Sequence, residues 1–243
     1  DADASVPQDY FKQLDSAASD AVAAIFRFQH MPGEEQHCDT ATALYELRLH
    51  HYVLGLEYAG SPYAHHTLGS CIAIRANAYV QVRGFPKRAG AEDFYILNKL
   101  AKIGPISRLS GQCIQLQSRH SSRVPFGTGP AVAAIIAAGQ PEDVRIFDHP
   151  RCFEALRALL ASLPELSQSP DVALAPLFVR QGLDATVAEQ SDGALQAMGI
   201  RSGLAHCQRQ SKSSAQFQRQ FHQWFDAFRT LKFIHSMRDA GWK

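Results

Sequence analysis

Several absences narrow this sequence before any motif does. No apolar run approaches the ~18 residues that a membrane-spanning helix needs; the longest, AVAAIIAAG at 131–139, stops far short. Charge of neither sign is in excess. The 24 Lys and Arg against 23 Asp and Glu leave a net +1, so no global field points to nucleic acid. Cysteine is sparse and scattered. Cys38, Cys71, Cys113, Cys152 and Cys207 are odd in number and form no C-x-x-C, which argues against a zinc site or a disulfide framework. Buried free thiols in a reducing compartment, hence the cytoplasm, fit them best. No internal repeat is apparent. The histidine pairs His50-His51 and His65-His66 lack the i, i+4 spacing that sets two imidazoles on one helix face, and they read as incidental.

What remains is ordinary globular composition, 46% hydrophobic and 19% charged over 243 residues, enough for one large domain or a domain with an appendage. The stretch 7–19 carries Tyr10, Phe11 and Leu14 at helical spacing behind a proline start. The β-prone run 21–30 predicts one buried strand, and 31–37 a loop. Residues 39–60 predict a long helix with Leu44, Leu47, Tyr52, Leu54 and Leu56 on it, Asp39 as N-cap and Gly60 as stop. A short strand is expected over 68–76, entered through Gly69, then a turn at Gly84. The stretch 91–104 is a clear helix. Glu92 and Asp93 stand in its first turn and Lys99 and Lys102 in its last, an order that suits the helix dipole, and Gly104-Pro105 ends it. One or two strands follow over 105–119. Strands and helices thus alternate, which predicts an α/β layer architecture.

Beyond residue 130 the pattern turns helical, over 142–163, 193–200 and 214–241. The last is strongly amphipathic, with Phe217, Phe221, Trp224, Phe228 and Leu231 at steps of three and four. Residues 201–243 hold eight Lys and Arg against two Asp. This basic amphipathic stretch either contacts an anionic membrane surface peripherally or packs its aromatic stripe onto the rest of the chain. The domain division is expected near 140, giving 1–140 and a helical extension 141–243.

Three stretches carry chemistry. Asp1-Ala2-Asp3 is a D-x-D, whose paired carboxylates suit a hard divalent cation, Mn²⁺ or Mg²⁺; a solvated turn is the plain alternative. In FPKRAGAEDFYILNKLAKIG (85–104) a glycine-containing loop leads into Glu92-Asp93, which helix capping would also explain. In SRHSSRVPFGTGP (118–130), Arg119, His120 and Arg123 precede a glycine-rich loop, a combination suited to phosphate oxygens or to a basic surface loop.

Taken in order, these stretches resemble the family 2 glycosyltransferases of the GT-A fold. The D-x-D is followed by a helix, and GSCIAIRANAYVQVRGFPKRAGAEDFYILNKLAKIG (69–104) matches that family's "GS…A.R…Y…GGF…GED…L…KL…G" block. The likeness covers roughly residues 1–130. It departs at RGF in place of Gly-Gly-Phe, at GAED with one extra residue before the acids, and in lacking Q-x-x-R-W, which favours a single-addition enzyme over a processive one. The resemblance implies an inverting, metal-dependent transfer of sugar from a nucleotide-diphosphate donor to a glycan or lipid-linked acceptor. It implies a cation on Asp1 and Asp3 with His120 as third ligand, and Asp93 as general base. Glu92, Gly69 and Ser70 would lie on the acceptor side, and Arg119 or Arg123 beside the diphosphate. It also implies that a nucleotide-binding half precedes Asp1, so the chain is expected to be the C-terminal part of such an enzyme, inactive alone and located in the cytoplasm or at the inner face of the membrane. The other expectations are a non-catalytic sugar- or nucleotide-binding module of the same fold and a metal-dependent phosphohydrolase.

Overall fold

The computed structural model describes residues 4–119, 127–139 and 146–242. Asp1, Asp3, His120 and Arg123 lie outside these. The fold is mixed α/β, and the chain divides into two compact units. One comprises residues to His51 and from His65 to Ile146; the other takes Tyr52–Ala64 and everything from Phe147. The second unit therefore begins close to the expected division, but it also claims the end of the long helix, which a boundary drawn along the sequence could not anticipate.

The first unit is built on two three-stranded sheets. The expected single strand at 21–30 is two, β2 (Ala23–Ile25) and β3 (Phe28–Met31), one in each sheet. β2 is the middle strand of the first sheet, antiparallel to β4 (Ile72–Ile74) and parallel to β5 (Ile106–Arg108). In the second sheet β6 (Ile114–Gln117) lies between β1 (Ala4–Ser5), antiparallel, and β3, parallel. Phe26 and Arg27 make the crossing. The Phe26 N–H donates to the Cys71 carbonyl, and the Arg27 carbonyl accepts from Ile114. Phe26 stacks on Tyr10 with centroids 4.4 Å apart, so α1 (Tyr10–Gln13) closes this core. Tyr10 and Leu14 face inward, whereas Phe11 is exposed.

The long helix, α2, runs Gln36–Tyr58. Asp39 does not cap it but sits in its first turn, and its carboxylate accepts from the Gly33 N–H at 2.7 Å. Gly60, at φ 73°, provides the left-handed stop. The buried face of α2 is Cys38, Ala41, Val53 and Leu56, while Leu47 and Leu54 are exposed. α3 (Ala76–Gln81) forms between the expected strand at 68–76 and the expected turn at Gly84, where no helix was expected. Ala78 and Val82, one helical turn apart, pack against Ile96, Leu97 and Leu100 of α4 (Glu92–Leu100). Tertiary packing there overrides the β propensity of Tyr79-Val80. α5 (Thr128–Ala137) packs Val132, Ile135 and Ile136 against Cys38, Ala41 and Tyr45 of α2.

The second unit is helical: α6 (Pro150–Ala161), α7 (Leu163–Gln168), α8 (Leu174–Arg180), α9 (Ala185–Ala197), α10 (Ile200–Arg209), α11 (Ser214–Trp224) and α12 (Ala227–Asp239). Its starts are written in the sequence. The Asp184 carboxylate caps α9, and the Ser213 hydroxyl caps α11. The expected single helix at 214–241 breaks at Phe225-Asp226, where the Asp226 carboxylate accepts from Arg229 N–H and starts α12. Phe217, Phe221, Phe225, Phe233, Ile234 and Met237 are buried in this unit's own core, so the aromatic stripe packs inward rather than lying free. Tyr63 and Leu56 from the shorter segment join it, Tyr63 through a hydrogen bond from its hydroxyl to the His222 carbonyl.

Candidate functional site

The first unit brings together one of the three chemistry-bearing stretches in detail and the margin of the other two. Asp93 stands in the first turn of α4. Ahead of it Ala91, the residue inserted before the acids, takes a left-handed conformation at φ 58°, ψ 24°. A non-glycine residue there is strained, by of order 1 kcal/mol or more, and its effect is to turn the chain so that α4 opens on Glu92 and Asp93. Glu92 is exposed and Asp93 half-buried.

The Asp93 carboxylate is held from two sides. Oδ2 accepts from the Gly69 N–H at 3.1 Å, and Oδ1 from the Phe94 N–H at 2.7 Å. Burial raises its pKa above the ordinary carboxylate range and the neighbouring Glu92 charge adds to this, while the Phe94 and Gly69 N–H groups pull the other way. The balance is a carboxylate more basic than a surface one, as proton abstraction requires. Gly69 opens a 3-10 turn, Gly69–Cys71, that delivers the chain into β4. Its hypothetical Cβ would meet Asp93 Oδ2 at 3.7 Å, ordinary contact, so Gly69 serves the site through its N–H. Ser70 follows in the same turn, half-buried.

Tyr45 of α2, which sequence reasoning missed, is hydrogen-bonded to Thr128 at the start of α5. Burial raises the pKa of the Tyr45 hydroxyl. Its hydrogen bond to Thr128 and the Arg48 charge oppose the shift, and the Asp93 carboxylate lies near enough to add to it. One turn earlier on α2, Thr42 Oγ1 accepts from the Ser118 hydroxyl at 3.0 Å. Ser118 follows β6, with its N–H on the Met31 carbonyl, and Arg119 comes next, exposed. Only the i, i+3 placement of Thr42 and Tyr45 hinted at this, and it is indistinguishable in sequence from helix packing.

The register of the second sheet fixes which ends meet. Ala4 pairs with Leu116 and Ser5 with Gln115, antiparallel. The start of β1, which Asp3 adjoins in sequence, is therefore at the same end as the finish of β6, after which come Arg119 and His120. Met31 pairs with Gln117 in parallel, so β3 finishes there too. Among the described residues no three His, Cys, Asp or Glu side chains are arranged to hold a metal ion; Asp1, Asp3 and His120 are not among them.

Two of the histidines read as incidental, His50 and His66, cluster with His30, Phe28 and Glu46. His30 Nδ1 and its backbone N–H both lie 2.7 Å from Glu46 Oε2, and His50 Nε2 is 3.7 Å from Glu46 Oε1. Phe28 stacks on His50 and meets His66 edge-on at 5.0 Å between centroids. The Glu46–His50 pair has i, i+4 spacing on α2, a signal that the His–His spacings alone do not carry. The pKa values of His65 and His66 are both pushed down to about 4. Burial is the main cause for each; Arg108 adds for His65, and His50, His65 and Arg108 for His66, with Glu46 opposing. A folded pKa below the unfolded value of about 6.5 means that the unfolded chain binds more protons between those limits. Stability is therefore full above pH 6.5 and falls as the pH drops toward 4, by on the order of 3 kcal/mol for His65 alone. Urea titration at pH 7 and pH 4.5 is expected to show this loss, and His65→Gln/His66→Gln to flatten it. An unchanged slope in the double variant would remove the histidines as its source.

Comparison with family models, with curated proteins and with solved structures finds no match for this chain.

Proposed function

We propose that the first unit is the metal- and acceptor-binding half of an inverting glycosyltransferase of the GT-A type, which moves a sugar from a nucleotide-diphosphate donor to an acceptor hydroxyl. One observation carries the reading: the Asp93 carboxylate, in the first turn of α4, is held from two sides by the Gly69 and Phe94 N–H groups. The register of the second sheet, where Ala4 faces Leu116, sets the start of β1 at the same end as the finish of β6 and supports the reading.

In this mechanism Asp93 accepts the proton of the acceptor hydroxyl as that oxygen attacks the anomeric carbon. Glu92, exposed beside it, orients the acceptor, and Gly69 and Ser70 border it. Asp1 and Asp3, with His120, are hard and borderline donors that suit Mn²⁺ or Mg²⁺. Such an ion, when bound, offsets the charge developing on the departing diphosphate. Arg119 and Arg123 share that charge through guanidinium hydrogen bonds. The donor-binding half that the resemblance implies is part of the proposed enzyme.

Calorimetry of UDP and GDP binding, made on the full-length protein with and without Mn²⁺, tests the metal assignment. The expected result is that Mn²⁺ tightens binding of one nucleotide by at least about tenfold, and that Asp1→Asn/Asp3→Asn cancels the gain. Equal affinity with and without the ion would sink the D-x-D assignment. Metal-dependent binding without any turnover would favour the non-catalytic module.

A further inference from the structure

The stretch from α3 to the start of α4 presents apolar and cationic side chains together. On α3, Tyr79 is 39% exposed and Val80 73%; beyond the turn Phe85 is 43% exposed. The turn is built to bring them side by side. The Arg83 and Gly84 N–H groups close on the Val80 and Tyr79 carbonyls at 3.0 and 2.9 Å, and both residues are left-handed, at φ 62° and 63°. Gly84 lets the chain lie close to the Tyr79 ring tip, which a Cβ there would meet at 2.8 Å. The result places the Phe85 ring 6.0 Å from that of Tyr79.

Along the chain the charge from Ala76 to Ala91 has one sign, with the exposed Glu92 just beyond it. Arg83, Lys87 and Arg88 are all exposed, and no acid occurs between Ala76 and Ala91, in a chain whose net charge is only +1. Arg88 rests on the Tyr95 ring, 3.9 Å from its centroid, which fixes its stem against α4. Exposed aromatic and aliphatic side chains between cations match the boundary of an anionic bilayer, where rings sit at headgroup depth and Lys and Arg meet lipid phosphates.

We propose that Tyr79, Val80 and Phe85, with Arg83, Lys87 and Arg88, form a surface that docks peripherally on anionic membranes. The inference is independent of the transferase reading. If both hold, the patch leads along the chain directly into Asp93 and presents that carboxylate to an acceptor carried by lipid. It also places membrane contact away from the 214–241 region, whose aromatic residues other than Phe228 pack in their own core.

The test is co-sedimentation of the full chain with phosphatidylcholine vesicles, with and without phosphatidylglycerol. Binding is expected only with the anionic lipid and is expected to weaken with added salt. Arg83→Glu/Lys87→Glu and, separately, Tyr79→Ser/Phe85→Ser should each weaken it by at least roughly tenfold. Phe228→Ser/Lys232→Glu, which alters the 214–241 region, should leave it unchanged, and all variants should melt like the parent. Absence of binding to anionic vesicles, or wild-type binding by both patch variants, overturns the proposal. So does a patch-dependent dimer by light scattering, which would assign the surface to a second copy of the chain.

Discussion

On the proposed mechanism, replacing Asp93 with Asn is expected to lower the rate of sugar transfer by about a hundredfold to ten-thousandfold, the range for losing a positioned general base, and to leave nucleotide-sugar affinity as it was. The split follows from where Asp93 stands. Its carboxylate is tied to the Gly69–Cys71 turn by the Gly69 N–H, the side that the proposed mechanism gives to the acceptor, whereas that mechanism gives the donor's diphosphate to other residues. The fold should survive the change. Burial and the Glu92 charge raise this carboxyl's pKa in the folded state, so its ionised form costs stability. That cost is absent at low pH and sets in as the pH rises through the folded pKa. Asn removes the cost and retains one acceptor oxygen, so the melting temperature is expected to stay within a few degrees of the parent. The raised pKa also puts the acidic limb of the parent's pH–rate profile above that of an ordinary aspartate. A variant with parental turnover ends the base assignment, and one that loses activity together with its melting transition assigns Asp93 to structure instead.

Phe221→Ala costs about 3–5 kcal/mol, the range for truncating a buried ring, whereas Phe228→Ala stays within about 1 kcal/mol. Both residues belong to the amphipathic stripe seen in the sequence, and both would be equivalent if that stripe lay on a membrane. In the structure they are opposites. Phe221 is fully buried, stacked on Phe225 with centroids 5.5 Å apart, in the core that also holds Phe178 and Phe217. Phe228 is 40% exposed. A domain's whole stability is about 5–15 kcal/mol, so the first substitution removes a large share of it. Urea unfolding of the helical unit's aromatic signal in the two variants measures the difference; equal midpoints would contradict the packing described.

How much of this was legible in the sequence depends on whether local or distant partners decide. α4 was legible because every signal is local: acids in its first turn, Lys99 near its end, Gly104-Pro105 behind it. The caps at Asp184 and Ser213 are equally local. α3 was not legible, because its helix is imposed by Ala78 and Val82 packing on α4. The break at Asp226 was visible in principle as an acid able to cap, but the unbroken three-four spacing of aromatic residues masked it. At the site, Glu92 and Asp93 could be picked out by pattern and Gly69 by its block. Tyr45 and Thr42 could not, since their roles come from β6 and α5, remote in sequence. The placement of Tyr52–Ala64 with the C-terminal unit was invisible for the same reason.

The measurement that bears most directly on the central claim is release of nucleoside diphosphate from a panel of UDP-, GDP- and dTDP-sugars by the full-length protein, with Mn²⁺ and then with EDTA. The account predicts release from at least one donor, abolished by EDTA and cut by about a hundredfold or more in Asp93→Asn. No release above the enzyme-free background across the panel, or release indifferent to EDTA and to Asp93, would contradict it.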